Sequence, residues 1–196
     1  MEGVIGVLKL TIKKGTNLAV RDWTRGTSDP YVIATLDHQK TKSKVVLGNC
    51  NPVWDDGLTM IIKDPKAPIT LTVHDKDTFS DDDNMGVAYL DLSRYVECME
   101  KRADFHDLPV GSKLETVEPD EHNNLVEESH IIWNKDAITQ DMVLRLQNAE
   151  TGVIEVQIEI TPVENHRLIL QEDHEIVDSG LTKTVDRSID FEDLLF

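Results

Sequence analysis

The chain has 196 residues, with 37 acidic against 20 basic side chains and a formal net charge of -17. That length suits one domain of ordinary size with extra segments, and so negative a charge excludes a general polyanion binder, because nucleic acid and anionic membrane are both repelled at long range. No apolar run approaches the roughly twenty residues of a membrane span, and the start "MEGVIGVLKLTIKKG" lacks the charged-then-apolar pattern of an export signal, so the expectation is a cytosolic protein in which Cys50 and Cys98 are reduced thiols.

In chain order, Leu8, Leu10 and Ile12 alternate with Lys9, Thr11 and Lys13, the period of a half-buried strand. The same pattern runs through "YVIATLD" (31–37), "KTKSKVVL" (40–47), residues 58–63, "ITLTVH" (69–74), "VAYLDL" (87–92), "DMVLRLQ" (141–147) and "VIEVQIEI" (153–160). Turn residues such as Gly57, Gly86 and Gly152 separate these segments. Eight strands with short turns predict an all-β fold, an antiparallel sandwich. One short helix is expected over 93–102, where Ser93 is placed to cap and Tyr95, Val96 and Met99 share a face. It would be a satellite of the sandwich.

Between 108 and 140 the strand rhythm falters, and "GSKLETVEPDEHNNLVEESHIIW" mixes charge with a few apolar residues as an insertion does; loops of that length usually have a function. The domain is expected to span 1–163. Residues 164–196 lose the alternation and are more acidic than basic, which predicts an acidic C-terminal tail that is mobile or ordered by docking on a partner.

The stretch "VHDKDTFSDDDNMG" ends a strand in five aspartates within nine positions. Two carboxylates about 4 Å apart repel by roughly 4 kcal/mol at an effective dielectric near 20. Such a cluster is either spread into solvent or neutralised by a multivalent cation. Upstream, "AVRDWTRGTSDPYV" places Asp22 and Asp29 in the connection between the first two strands. If both connections emerge at one end of the sandwich, Asp22, Asp29, Asp75, Asp77 and Asp83 surround a common hollow. Calcium accepts six to eight oxygen ligands in flexible geometry and suits loops without His or Cys; zinc suits them less. The spacing is not that of an EF-hand, which would want Gly and Glu where Ser80 and Gly86 stand. "VHDKDTF" also resembles the paired aspartates of haloacid-dehalogenase-type phosphotransferases, but Phe79 stands where that family has Thr or Val, and its parallel sheet would need continuously apolar strands.

Three segments, "LKLTIKKGTNLAVRDWTRGTSDPYV", "NPVWDDGLTMII" and "LTVHDKDTFSDDDNMG", together resemble a C2 domain, the calcium- and phospholipid-binding β-sandwich. "NNLVEESHIIW" and "QDMVLRLQNAETGVIEVQIEI" are similar to the insertion and last strands of the small plant single-C2 proteins related to abscisic-acid signalling. The resemblance covers residues 4 to about 161. It implies calcium bound by Asp22, Asp29, Asp75, Asp77 and Asp83, with the main-chain carbonyl of Arg21 as a further ligand. It also implies that the insertion helps to contact receptors of the abscisic-acid class.

Across the two acidic loops, Asp22, Asp29, Asp75, Asp77, Asp81, Asp82 and Asp83 give seven negative charges against Arg21, Arg25 and Lys76, a local net of -4. Two calcium ions would bring this to about zero, removing repulsion from a phosphate surface without creating a positive face. Trp23 and Phe79 are the candidate apolar groups at the loop tips, although either ring can pack on its own loop instead. Lys40, Lys42 and Lys44 alternate along one strand and would project as a basic row, each worth about 1 kcal/mol near anionic lipid. In the insertion, Glu127, Glu128 and Trp133 are candidates for a partner-facing patch, while a turn tucked against the sandwich is the plainer reading. His38 and His74 read as surface or strand residues.

The expected function is a non-enzymatic, calcium-dependent adaptor that brings a signalling partner, in the resemblance an abscisic acid receptor, to a phospholipid membrane. Its location would be cytoplasmic, peripheral at the plasma membrane, or nuclear. The alternatives are a soluble interaction module with weak or no calcium binding and, as some relatives of the resemblance suggest, a GTPase regulator. For the last, the chain offers no Walker-type loop and no isolated arginine finger.

Overall fold

The computed structural model describes residues 3–163 except 23, 78–80, 122 and 136. Trp23, Phe79 and the segment 164–196 therefore lie outside the described residues. Within them the chain forms two antiparallel sheets. One runs in the order β4 (Val53–Ile62), β1 (Gly6–Thr16), β10 (Val153–Pro162), β9 (Ala137–Arg145), β8 (Ser129–Asn134), β7 (Ser112–Val117); the other runs β3 (Gln39–Lys42), β2 (Pro30–Leu36), β5 (Ile69–Asp75), β6 (Asp83–Leu90).

The alternation read from the sequence is what closes the sandwich. Leu8, Leu10 and Ile12 of β1, Leu58, Met60 and Ile62 of β4, and Ile154, Val156, Ile158 and Ile160 of β10 are buried on the inner face of the larger sheet. They meet Val32, Ala34 and Leu36 of β2, Ile69, Leu71 and Val73 of β5, and Ala88 and Leu90 of β6. Burying a side chain of this size is worth about 1.5–3 kcal/mol, so this inner face is the main source of stability. The Asn-Pro-x-Trp segment has a structural purpose here: Trp54 is fully buried and its indole N–H donates to the Pro30 carbonyl at 3.0 Å, tying β4 of one sheet to the start of β2 in the other.

All eight expected strands are present, and two more bring the total among the described residues to ten. Both lie in the 108–140 segment, which extends the larger sheet rather than looping away from it. β7 is a half-buried edge strand with a register shift between Lys113 and Glu115, and in β8 the half-buried Ile132 stands between buried Ile131 and Trp133. Neither gives a clean period of two. The β3 strand also ends earlier than expected. Ser43 turns inward, its amide donating to the Val32 carbonyl and its hydroxyl accepting from the Val32 amide at 2.9 Å, and the Lys44 amide leaves the ladder for Asp56 Oδ2 at 2.7 Å.

The helix α1 (Ser93–Glu100) buries Tyr95, Val96, Cys98 and Met99. Ser93 makes no cap; instead Asp91 Oδ1 accepts from its amide and its hydroxyl, at 2.9 and 2.7 Å. The helix is more than a satellite. Pairing of β9 with β10 stops at Thr139 and Glu159, and at the next position the Tyr95 hydroxyl stands between the strands, donating to the Ile138 carbonyl and accepting from the Ile160 amide. A side chain thus completes the ladder where the backbones diverge.

The strand directions define two poles. At one lie the loops 17–29, 43–52 and 76–82; α1, the turn between β8 and β9, and the end of β10 lie at the other.

Candidate functional site

The connection between β1 and β2 ends in Asp29, immediately before β2, and β5 ends in Asp75. The two strands are paired so that Pro30 stands opposite Asp75. This register forces the acidic ends of the two loops together: the Asp29 amide donates to Asp75 Oδ1 at 2.5 Å and the Lys76 amide donates to the Asp29 carbonyl at 3.0 Å. Asp83 faces Asp75 across the β5–β6 pair, with its side chain exposed. Asp22 belongs to the same pole: its amide donates to the Thr27 carbonyl at 3.0 Å, and the Ser28 hydroxyl accepts from the neighbouring Arg21 amide at 2.9 Å and donates to the Ala19 carbonyl at 3.0 Å.

Asp75 is the electrostatic centre of the group. Only 4% of it is exposed. Burial pushes its carboxyl above the ordinary range; the Asp29 amide opposes that, and the charges of Asp77 and Asp29 reinforce it. A buried carboxylate surrounded by other carboxylates is a cost that a bound cation relieves, and the donors here are all hard oxygen, as calcium prefers. On that observation the residues fit the ion.

The other carboxylates have protein partners. Asp22 is held below the ordinary range by the Thr24 hydroxyl at 2.6 Å, helped by the Arg25 and Thr24 amides. Asp29 Oδ1 accepts from the Gly48 amide at 2.6 Å. Asp82 accepts from Lys76 Nζ at 2.8 Å, from the Tyr31 hydroxyl at 2.6 Å and from the Asp77 amide at 3.0 Å, and these hold its carboxyl far below the ordinary range. Tyr31 is correspondingly pushed up to about 12, by burial first and then by Asp82. Among the described residues no three acids, histidines or cysteines are already gathered around one point, so a shared ion requires the carboxylates to close around it, Asp29 through the oxygen that Gly48 does not hold.

The sequence did not separate Asp82 from its neighbours. In the run 81–83, Asp81 and Asp83 are exposed, while Asp82 braces its own loop to β2 and Lys76. The local charge count therefore overstates the free acid at this pole. Gly48 and Ser28 were missed as well, since each acts through contacts with residues distant in the chain.

The C2 domain family matches residues 6–108. Protein C2-DOMAIN ABA-RELATED 10 of Arabidopsis thaliana is 45% identical over 155 residues, covering 79% of this chain and 85% of that protein. Protein C2-DOMAIN ABA-RELATED 8 of the same plant is 44% identical over 159 residues, covering 81% and 94%. The chain belongs to the C2-domain ABA-related family. Among solved structures, a C2 domain of plant Extended Synaptotagmin 1 superposes with a TM-score of 0.54 at 17% identity, covering 82% of this chain and 98% of that one. The calcium-bound pair of C2 domains of Extended-Synaptotagmin 2 gives 0.54 at 18% identity, covering 88% and 53%. These likenesses show the fold.

In this C2-domain ABA-related chain, β5 lies antiparallel between β2 and β6, so the parallel-sheet phosphotransferase arrangement does not arise. Lys40 and Lys42 are exposed at alternate positions of β3, and Lys44 is exposed just beyond it. Glu127 and Glu128 are exposed ahead of β8, but Trp133 is buried and packs against Phe105 and His106 at the pole opposite the acidic loops. It shares no surface with the two glutamates. The Arg21 guanidinium pairs with Glu150 at 2.9 Å, so that side chain braces the loop while its carbonyl is the group the family resemblance nominates. No helix of the described residues is long and apolar enough to cross a membrane.

Proposed function

We propose that the protein is a calcium-dependent phospholipid-binding adaptor. The observation that carries this reading is the convergence of Asp29, Asp75 and Asp77 at one pole, with Asp75 buried among like charges. Asp29, Asp75 and Asp77 would hold the ion, joined by Asp22, Asp83 and the Arg21 carbonyl. Bound calcium supplies open coordination positions for a lipid phosphate oxygen. The chain's own residues do the rest: Asp82, Lys76 and Tyr31 fix the second loop, Ser28 fixes the first, and Lys40, Lys42 and Lys44 add attraction for an anionic surface. Trp23 and Phe79 are the further lipid contacts the sequence suggests. Extended-Synaptotagmin 2, whose C2 domains are described as calcium bound, has the same fold. Membership of a family described as ABA-related supports an abscisic acid receptor as the recruited partner, with the exposed Glu127 and Glu128 as contacts.

Sedimentation with phosphatidylserine-containing vesicles tests the reading. Protein should pellet in calcium and stay in the supernatant in chelator, and an abscisic acid receptor should pellet only when both are present. Equal binding with and without calcium, or none in either, contradicts it.

A second reading, a soluble interaction module with weak calcium binding, is favoured by one observation: Asp22, Asp29 and Asp82 already have protein donors. Under that reading the vesicle experiment gives no pellet and calcium raises no melting temperature.

A further inference from the structure

At the pole opposite the acidic loops, α1, the turn between β8 and β9 and the end of β10 enclose an open groove of about 480 Å³. Its floor is apolar, with Trp133 and Ile138 each more than nine-tenths buried. Arg102, His106 and Lys135 stand around it, and Glu159 is the one acid among its lining residues. In a chain of net charge -17 that is a local inversion of sign. Neither Arg102 nor Lys135 forms an ion pair among the described residues. Beside the rim, Val110 is 66% exposed, next to Gly111, whose amide donates to the Trp133 carbonyl. An apolar floor ringed by unpaired cations suits an occupant that carries apolar and acidic side chains together.

The chain itself supplies such an occupant. β10 ends at Pro162, which lines the groove, and the Val163 amide donates to the Ile5 carbonyl at 3.1 Å, so the chain leaves the sandwich at the rim. Downstream, "SIDFEDLLF" (188–196) sets Asp190, Glu192 and Asp193 among Ile189, Phe191 and three further apolar residues, with no basic residue. The 24 residues between Val163 and Ser188 span up to about 80 Å when extended, ample for a return to the groove. A covalent link of that length holds a ligand at an effective concentration on the order of a millimolar, so even a weak site is filled from within. The other basic surface, Lys40, Lys42 and Lys44, is an exposed row along the edge strand β3 and just beyond it; it matches the acids of the segment but not its rings.

We propose that residues 188–196 of this chain dock in the groove between α1 and the β8–β9 turn, with Phe191 and Phe196 toward the Trp133 floor and the acids against Arg102 and Lys135. The docked segment closes the groove to any other acidic, apolar ligand until it leaves, so it acts as a built-in competitor. The pole it occupies lies away from the candidate calcium loops, and the inference stands whether or not the protein binds calcium.

The full chain carries the test, with a nitroxide on Ser188→Cys in a Cys50→Ser background. Cys98 is buried, and burial pushes its thiol up to about 11, which keeps it from the label. At low salt the nitroxide should broaden the amide resonances of His106, Lys135 and Ala137 and spare those of Lys40 and Gly48. Mixing nitroxide-bearing protein with a separate isotope-enriched protein should give no broadening, since the contact lies within one molecule. Phe191→Ala/Phe196→Ala should remove the broadening, and so should Arg102→Glu/Lys135→Glu, whose effect Asp190→Lys/Glu192→Lys should reverse. A free peptide of residues 188–196 should bind the Phe191→Ala/Phe196→Ala protein about tenfold more tightly than wild type, because the tethered competitor is gone. No broadening, broadening at the lysine row instead, broadening between molecules, or a peptide that fails to favour the variant overturns the inference.

Discussion

Replacing Asp75 by Asn separates the electrostatic account from a purely structural one. The carboxylate is buried and its charge is opposed by Asp77 and Asp29. Asparagine keeps an oxygen for the Asp29 amide, now 2.5 Å away, but exchanges a charge-assisted bond for a neutral one, a loss of about 1 kcal/mol. Against that, the substitution removes the repulsion from Asp77 and Asp29, which solvent and salt at this pole reduce to about 1 kcal/mol each, and a desolvation cost. The net expectation without calcium is a stabilisation of about 1–2 kcal/mol, or about 3–6 °C in Tm for a chain this size.

With calcium the order should reverse. An ion at 100 times its Kd stabilises wild type by about 2.7 kcal/mol, and the variant should gain little. The pH dependence has a defined sign. A carboxyl raised above its ordinary 3.8 in the folded state binds its proton more tightly folded than unfolded. Wild-type stability in chelator is therefore lost as pH rises from 3.8 through the folded value, and D75N lacks that slope. Scanning calorimetry in chelator and in calcium, at several pH values, reads all three effects. A variant less stable than wild type in chelator, or an equal calcium shift in both proteins, refutes the reasoning.

Tyr95→Phe strands the Ile138 carbonyl and the Ile160 amide in the core and should cost about 2–4 kcal/mol in urea unfolding. Gly86 has a φ of +131°, and a Cβ there would lie 2.8 Å from that of Ala149 and 2.9 Å from that of Leu146, so Gly86→Ala should lower stability by about 2 kcal/mol or more, seen as a fall in Tm. Lys40→Ala with Lys42→Ala should weaken calcium-dependent vesicle binding by about 2 kcal/mol at low salt, with the difference shrinking as salt rises.

Much of the fold was legible because the inner faces of β1, β4, β5 and β10 alternate cleanly, and alternation is direct evidence of a two-sided sheet. β7 and β8 escaped for the same physical reason in reverse: an edge strand that is half buried at every position but Lys113, and a strand with Ile132 on its outer side, blur the pattern. The acidic pole was legible as chemistry but not as geometry. Composition marks Asp75, Asp77 and Asp83 as a charge cluster, yet only the pairing of Pro30 with Asp75 brings Asp29 to it. Asp82 reads like its neighbours until Tyr31, fifty-one positions away, is seen to donate to it. Trp133 reads as a surface group because nothing in its local sequence reports the packing of Phe105 and His106 against it.

The most direct measurement is a calorimetric calcium titration of the wild-type protein, beside D75N/D77N, in the absence of lipid. If the acidic pole holds calcium, wild type should give a saturable binding heat and a calcium-dependent rise in Tm, both lost in the double variant. A wild type that gives neither heat nor stabilisation contradicts it.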